Sequence, residues 1–152
     1  YAFSDSKNPK VLSLTRQDLD YLDFDVKYEE FLKGGYVVSD GDDFTIVASG
    51  SELEIAFKIK AALLEYSVRI VSVPILNKLS NMKNEEINEL LKNKHVFPIE
   101  LGRSIGWESY LGRITKTFSI DSFGESAPIE DLEKNFGFDV PTITKEIIKY
   151  LN

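Results

Sequence analysis

Short β-prone runs alternate along this chain with stretches of helical periodicity, and that alternation limits the fold more than any other feature. Lys10-Val11-Leu12-Ser13-Leu14, Tyr36-Val37-Val38, Phe44-Thr45-Ile46-Val47-Ala48, Val68-Arg69-Ile70-Val71-Ser72-Val73, His95-Val96-Phe97-Pro98-Ile99 and Thr117-Phe118-Ser119-Ile120 read as strands. Helices are predicted over about 51–66 and 84–94 and over two closing segments. Such alternation places helices over both faces of a mostly parallel sheet. The expected fold class is α/β: a three-layer α/β/α sandwich with a mixed, mostly parallel sheet of about five strands. The antiparallel exception is expected at Asp40-Gly41-Asp42, where two apolar runs flank an Asp-Gly turn as in a hairpin.

Local signals sharpen this outline. Ser51 and Glu54 have capping-box spacing, in which a hydroxyl and a carboxylate satisfy free N–H groups reciprocally. Glu54 and Lys58 form a correctly oriented i,i+4 pair. Ile55, Ala56, Ile59, Ala62, Leu63 and Tyr66 make a wide apolar stripe suited to lying on a sheet. Asn84 is expected to cap the second helix, and Pro98 places its strand at an edge or a bulge. Gly102 to Gly112 reads as a glycine-punctuated loop. One closing helix follows Ser126-Ala127-Pro128, opens with Glu130 and Asp131, and stops at Gly137. The other starts near Asp139-Val140-Pro141 and buries Ile143, Ile147, Ile148 and Leu151. Residues 18–33, dense in charge and without a clean period, read as a linker laid across a surface with a short helical turn.

Composition removes several function classes. A length of 152 residues suits one domain. Twenty-five acidic residues against 18 basic ones give a net charge of −7, which disfavours nucleic acid and anionic membrane as partners. The absence of cysteine excludes disulfides, thiolate nucleophiles and Cys-based zinc sites, and a single histidine excludes a His-rich metal centre. No run reaches the roughly 20 apolar residues of a membrane helix. The chain opens on Tyr1 with no signal segment and reads as an excerpt or a processed product.

The candidate site residues are few. Ser49-Gly50-Ser51, between a strand and a helix, could bind an anion on converging amides. The multi-glycine pattern and a Walker lysine are absent, so capping is the expected role. Glu100, at a strand end, is the best single carboxylate, but no spacing ties a second one to it. A solvated or interface role is expected there. His95 is expected to be structural. Trp107 and Tyr110 are expected to pack under their own loop or against a neighbouring domain. Arg16 ends a strand, where α/β proteins place ligand groups, and position alone leaves a structural and a functional reading open. These residues assemble no self-sufficient catalytic constellation, and they name no reaction.

Several strings together are more specific. Leu14-Thr15-Arg16-Gln17 resembles the L-S/T-R-Q signature that ends the pyrimidine-binding domain of transketolases. Lys33-Gly34-Gly35-Tyr36-Val37 resembles the K/R-G-G-Y-V opening of their C-terminal domain. Ala48-Ser49-Gly50-Ser51-Glu52-Leu53 is similar to A-T-G-S-E-V, and Val68 to Pro74 is similar to V-R-V-V-S-M-P. Phe123-Gly124-Glu125-Ser126-Ala127-Pro128, then Leu132 and Phe136-Gly137-Phe138, resembles F-G-x-S-A-P-x-x-x-L-x-x-x-F-G-F. The matches run in order over nearly the whole chain. Three departures stand out: Leu76-Asn77-Lys78-Leu79 in place of F-D-x-Q, Ile99-Glu100-Leu101-Gly102 for V-E-A-G, and Asp139 for Thr.

The resemblance implies a domain division: residues 1–20 as the tail of the pyrimidine-binding domain, 21–35 as a linker, and 36–152 as a transketolase C-terminal domain. It implies a cytoplasmic parent enzyme that moves a two-carbon ketol unit between sugar phosphates, using thiamine diphosphate and Mg²⁺ or another divalent metal. Its implied partners are the upstream domains of the same polypeptide and a second subunit in a homodimer. The family's cofactor ligands have no counterpart here, so no catalytic, cofactor-binding or metal-binding residue is expected in this chain. The family's arginine in the R-Q signature contacts the substrate phosphate, which assigns that role to Arg16. A free-standing binding or regulatory module of the same fold is one alternative. The same domain from a dihydroxyacetone or deoxyxylulose phosphate synthase is another.

Overall fold

The computed structural model describes residues 7–152. Tyr1 and the rest of residues 1–6, the start of the expected domain tail, lie outside the described residues. Five strands, β1 (Tyr36–Ser39), β2 (Phe44–Ala48), β3 (Val68–Ser72), β4 (His95–Glu100) and β5 (Phe118–Ser119), form one sheet in the order β1-β3-β2-β4-β5. β2, β3, β4 and β5 run parallel, and β1 lies antiparallel on β3. The helices are α1 (Tyr28–Lys33), α2 (Glu52–Ala62), α3 (Asn84–Leu91), α4 (Ile105–Leu111), α5 (Ile129–Asn135) and α6 (Val140–Leu151). A 3-10 helix (Leu76–Asn81) follows β3. The expected three layers are present.

Strand alternation sorts the core into two halves. Phe44, Ile46 and Ala48 of β2 face one side, where they meet Ala56 and Ile59 of α2 and Ile143 and Ile147 of α6. Val47 and Val71 face the other, against Leu79, Leu90 and Leu91 and the two buried side chains of α4, Trp107 and Leu111.

The expected hairpin is split. β1 and β2 do not pair, because β3 lies between them and bonds to both. Residues 40–43 pass beneath the start of β3, where Asp43 N–H donates to the Ser67 carbonyl at 3.0 Å. A β-carbon at Gly41 would lie 2.3 Å from the Val68 carbonyl carbon, so the glycine serves a backbone crossing rather than a two-strand turn. Polar side chains fix this end of the sheet. Arg69, buried, donates from Nε to Leu90 O at 2.9 Å and from Nη2 to Glu89 O at 3.1 Å, and also pairs with Asp40. It thereby takes up carbonyls at the C-terminus of α3, which the helix itself cannot satisfy.

Other expectations need correction. Residues 10–14 form no strand. Val11 and Leu14 are exposed, because no strand of this sheet lies beside them to complete a ladder. The Ser51–Glu54 capping box does not form: Ser51 makes no cap bond and donates to Glu52 at 2.9 Å, while Glu54 pairs with Lys58 as expected. α2 ends at Ala62 rather than near Tyr66, and α3 ends at Leu91 rather than at 94. Its N-cap is Lys83, not Asn84, with the Lys83 N–H bonded to Glu86 at 2.8 Å. The Gly102–Gly112 loop contains α4, closed by Gly112 at φ 65°. The expected strand over 117–120 shortens to Phe118–Ser119.

Pro98 is accommodated as an edge residue on one side. Val96 donates to Thr115 Oγ1 at 3.1 Å and accepts the Thr115 amide at 2.8 Å, so its backbone polar groups point towards the β5 side. By alternation Pro98 faces the same way, where β5 is two residues long, and its missing N–H breaks no bond to β2. Within 18–33, α1 is the expected helical turn. Leu22 packs on the α2 side of the core, and Phe24 stacks on Phe57 with ring centroids 6.4 Å apart.

Candidate functional site

In an open α/β sheet, ligands sit beyond the C-terminal strand ends, where neighbouring strands send their connections in opposite directions. Here that point lies between β2, which leads to β3 on one side, and β4, which leads to β5 on the other. The residues at or just beyond these ends are Ser49-Gly50-Ser51-Glu52 after β2, and Glu100, the last residue of β4, with Leu101-Gly102. They bring together two carboxylates that stand 48 positions apart in the chain. Glu52 is 6% exposed. Its Oε1 accepts the Leu101 amide at 2.8 Å and its Oε2 accepts the Ser51 hydroxyl at 2.9 Å.

Glu100 is half-buried. Burial pushes its carboxyl above its ordinary value, and the nearby Glu52 charge acts in the same direction. A hydrogen bond from the Trp107 side chain opposes both. Glu52 is therefore the second carboxylate that spacing along the chain does not disclose. The signal available was positional: Glu100 ends one predicted strand and Glu52 follows another within a few residues.

The first amides of α2, beyond the Ser49–Ser51 turn, are already engaged by the turn's carbonyls. Glu52, Leu53 and Glu54 N–H groups donate to the carbonyls of Ser49, Gly50 and Ser51 at 3.2, 3.3 and 3.2 Å. The Glu52 carboxylate, bonded to Ser51, adds a repelling charge. Trp107 is 1% exposed and packs beneath its own segment with Leu111, as expected, and Tyr110 packs partly against the same cluster. His95 stacks on Phe97 with ring centroids 6.4 Å apart, in keeping with a structural role. Arg16 is exposed, far in sequence from the switch point, in a stretch without regular structure. Beside it Thr15 Oγ1 accepts the Gln17 amide at 3.2 Å.

The order β1-β3-β2-β4-β5 with an antiparallel first strand, and helices on both faces, define an α/β domain with a mixed five-stranded sheet. The family described as the transketolase-like TK C-terminal domain matches residues 34–139. Transketolase from Bacillus subtilis is 35% identical over 163 aligned positions, covering 99% of this chain and 24% of the relative. A mutant transketolase from Pichia stipitis superposes with a TM-score of 0.77 at 26% identity, over 90% of this chain and 20% of that one. Transketolase from the same yeast in complex with sedoheptulose 7-phosphate gives 0.71 at 25% identity, over 81% of this chain and 18% of that one. The chain belongs to the transketolase C-terminal domain family. It spans about a quarter of the length of the curated relatives it matches.

Proposed function

We propose that this chain is the C-terminal part of a transketolase that transfers two-carbon ketol units between sugar phosphates. Residues 1–20 close the pyrimidine-binding domain, 21–35 form the linker, and 36–152 form the C-terminal domain. The family match over residues 34–139, beginning two positions before the proposed C-terminal domain, carries this reading. The parent enzyme works in the cytoplasm as a homodimer with thiamine diphosphate and Mg²⁺, its upstream domains packed against this one. When bound, that cofactor stabilises carbanion character on the transferred unit. This chain's residues do not fit the metal: among the described residues, no three His, Cys, Asp or Glu side chains gather to hold one.

Arg16 is the residue of this chain that meets substrate. Its planar guanidinium holds a phosphate with two parallel N–H···O bonds, and its exposure here suits a group that completes a cleft between domains. The solved Pichia stipitis relative binds a sugar phosphate, the ligand class this arginine suits. A charge-assisted contact in a shielded cleft contributes about 1.5–3 kcal/mol. Arg16→Ala in the full-length enzyme is expected to raise KM for phosphorylated sugars roughly 10- to 100-fold, with a smaller change in kcat. Turnover of hydroxypyruvate, which has no phosphate, should barely change. Equal losses for both donors would assign Arg16 to the fold or the cofactor instead.

A further inference from the structure

Exposed apolar side chains gather where the chain leaves β4 and β5. Leu101 stands directly after β4, Ile105 opens α4, and Phe123 follows β5 by four positions. They are 37%, 63% and 98% exposed. The turns that carry them are fastened to one another. Asp121 accepts the Ser104 N–H and hydroxyl, both at 3.3 Å, and the Ser119 hydroxyl at 2.6 Å. Gly102 O accepts the Ile120 amide at 2.9 Å, and Glu52 holds the Leu101 amide at 2.8 Å. The base beneath the three apolar groups is therefore braced, and little of it needs ordering on binding. Neighbouring exposed apolar groups on a folded surface mark an interaction site.

The incoming chain reaches the domain at this same end of the sheet. Phe24 lies 6.4 Å, ring to ring, from both Phe57 and Tyr36. Both neighbours stand towards the C-terminal strand ends. Phe57 is in the first half of α2, which follows β2, and Tyr36 pairs with Ser72, the last residue of β3. The residues before Leu22 leave the core from here and carry further exposed apolar groups, among them Val11, Leu14 and Tyr21. The opposite end differs, because its charges are paired: Arg69 with Asp40, and Lys92 with Asp42. We propose that Leu101, Ile105 and Phe123 form the surface on which the preceding part of the same polypeptide seats. This rests on the chain being the C-terminal part of a longer transketolase, and it spans about a quarter of the curated relatives. A body tethered through residues 7–21 meets this surface at a high effective concentration, an advantage that a free second copy lacks. Its matching face is apolar at the centre.

Hydroxyl-radical footprinting read by mass spectrometry compares the full-length protein with the 152-residue chain. Phe123 and Ile105 should be oxidised readily in the shorter chain and several-fold more slowly in the full-length protein. Leu64, 89% exposed at the opposite end of the sheet, should react equally in both. Trp107, the sole tryptophan and buried, should be spared in both and reports that the domain is folded. A photo-crosslinking phenylalanine analogue in place of Phe123 in the full-length protein should link to residues that precede this chain. In dimers exchanged between isotopically light and heavy subunits, each link should stay within one isotope. If the shorter chain does not fold, the crosslink alone decides. Equal reactivity of Phe123 in the two samples, or protection of Leu64 in its place, would overturn the assignment. So would links between isotopes, which give the surface to the partner subunit, or protection that grows with the concentration of the shorter chain, which gives it to a second copy. Ketol transfer by the same full-length sample scores the functional reading separately, so the surface can fail while that reading stands.

Discussion

A β-carbon at Gly41 would stand 2.3 Å from the Val68 carbonyl carbon and 2.6 Å from both the Arg69 nitrogen and the Ser67 carbonyl carbon. All three are backbone atoms and cannot rotate away. The crossing that separates β1 from β2 is therefore possible at this position only without a side chain. Gly41→Ala should destabilise the fold by about 3 kcal/mol, the upper end of the usual overpacking cost. Urea unfolding measures this directly, and an unchanged midpoint would show that residues 40–43 can move away from β3. In the sequence, Asp40-Gly41-Asp42 carries a turn signal, and it does turn the chain. What stays hidden is that a strand formed some 25 positions later enters the gap. Arg69, read in the sequence only as part of a β-run, shows the same limit. Its partners are carbonyls of α3, whose position depends on the finished sheet.

Among the elements, α6 was the most legible. Asp139 accepts the Thr142 amide at 3.0 Å, a proline sits in the first turn, and Ile143 and Ile147 fall on the buried face. Asp139→Ala should cost about 1 kcal/mol of stability. Hydrogen bonding to Thr142 holds the Asp139 carboxyl below its ordinary value of 3.8, with Lys134 adding in the same direction. The cap's contribution is thus complete above pH 3.8 and is lost as pH falls through the lower folded value. A thermal-melting series from pH 7 to pH 2 checks this: wild type and Asp139→Ala should converge at the acid end. A constant gap would mean that the cap acts through packing instead. α4 was illegible for a physical reason. Its glycines suggest a loop, yet Gly112 is there because the helix ends at positive φ, and Gly106 sits inside the helix with only the movable end of the Leu76 side chain 2.7 Å from where a β-carbon would stand. Helix termination and tertiary packing are not revealed by local propensity. Residues 10–14 fail in the opposite sense. Their pattern is that of a strand, but a ladder needs a neighbour, and this sheet does not supply one.

For the molecule as a whole, the layered architecture was readable because strand and helix periodicities alternate cleanly. The order of the strands was not, since nothing in the sequence states which strand enters between two others. The candidate site divides in the same way. The role proposed for Arg16 comes from a local signature, whereas Glu52 and Glu100 come together only once β2 and β4 lie side by side. No helix among the described residues is long and apolar enough to cross a membrane. The proposed function makes this chain the C-terminal part of a ketol-transferring enzyme whose cofactor ligands lie outside it. The most direct test is calorimetric titration of the 152-residue chain with thiamine diphosphate and Mg²⁺. The expected result is no heat beyond dilution, because the described residues gather no metal-ligand cluster and the sequence lacks a diphosphate-binding motif. Saturable binding with a micromolar Kd, about −8 kcal/mol, would contradict the account.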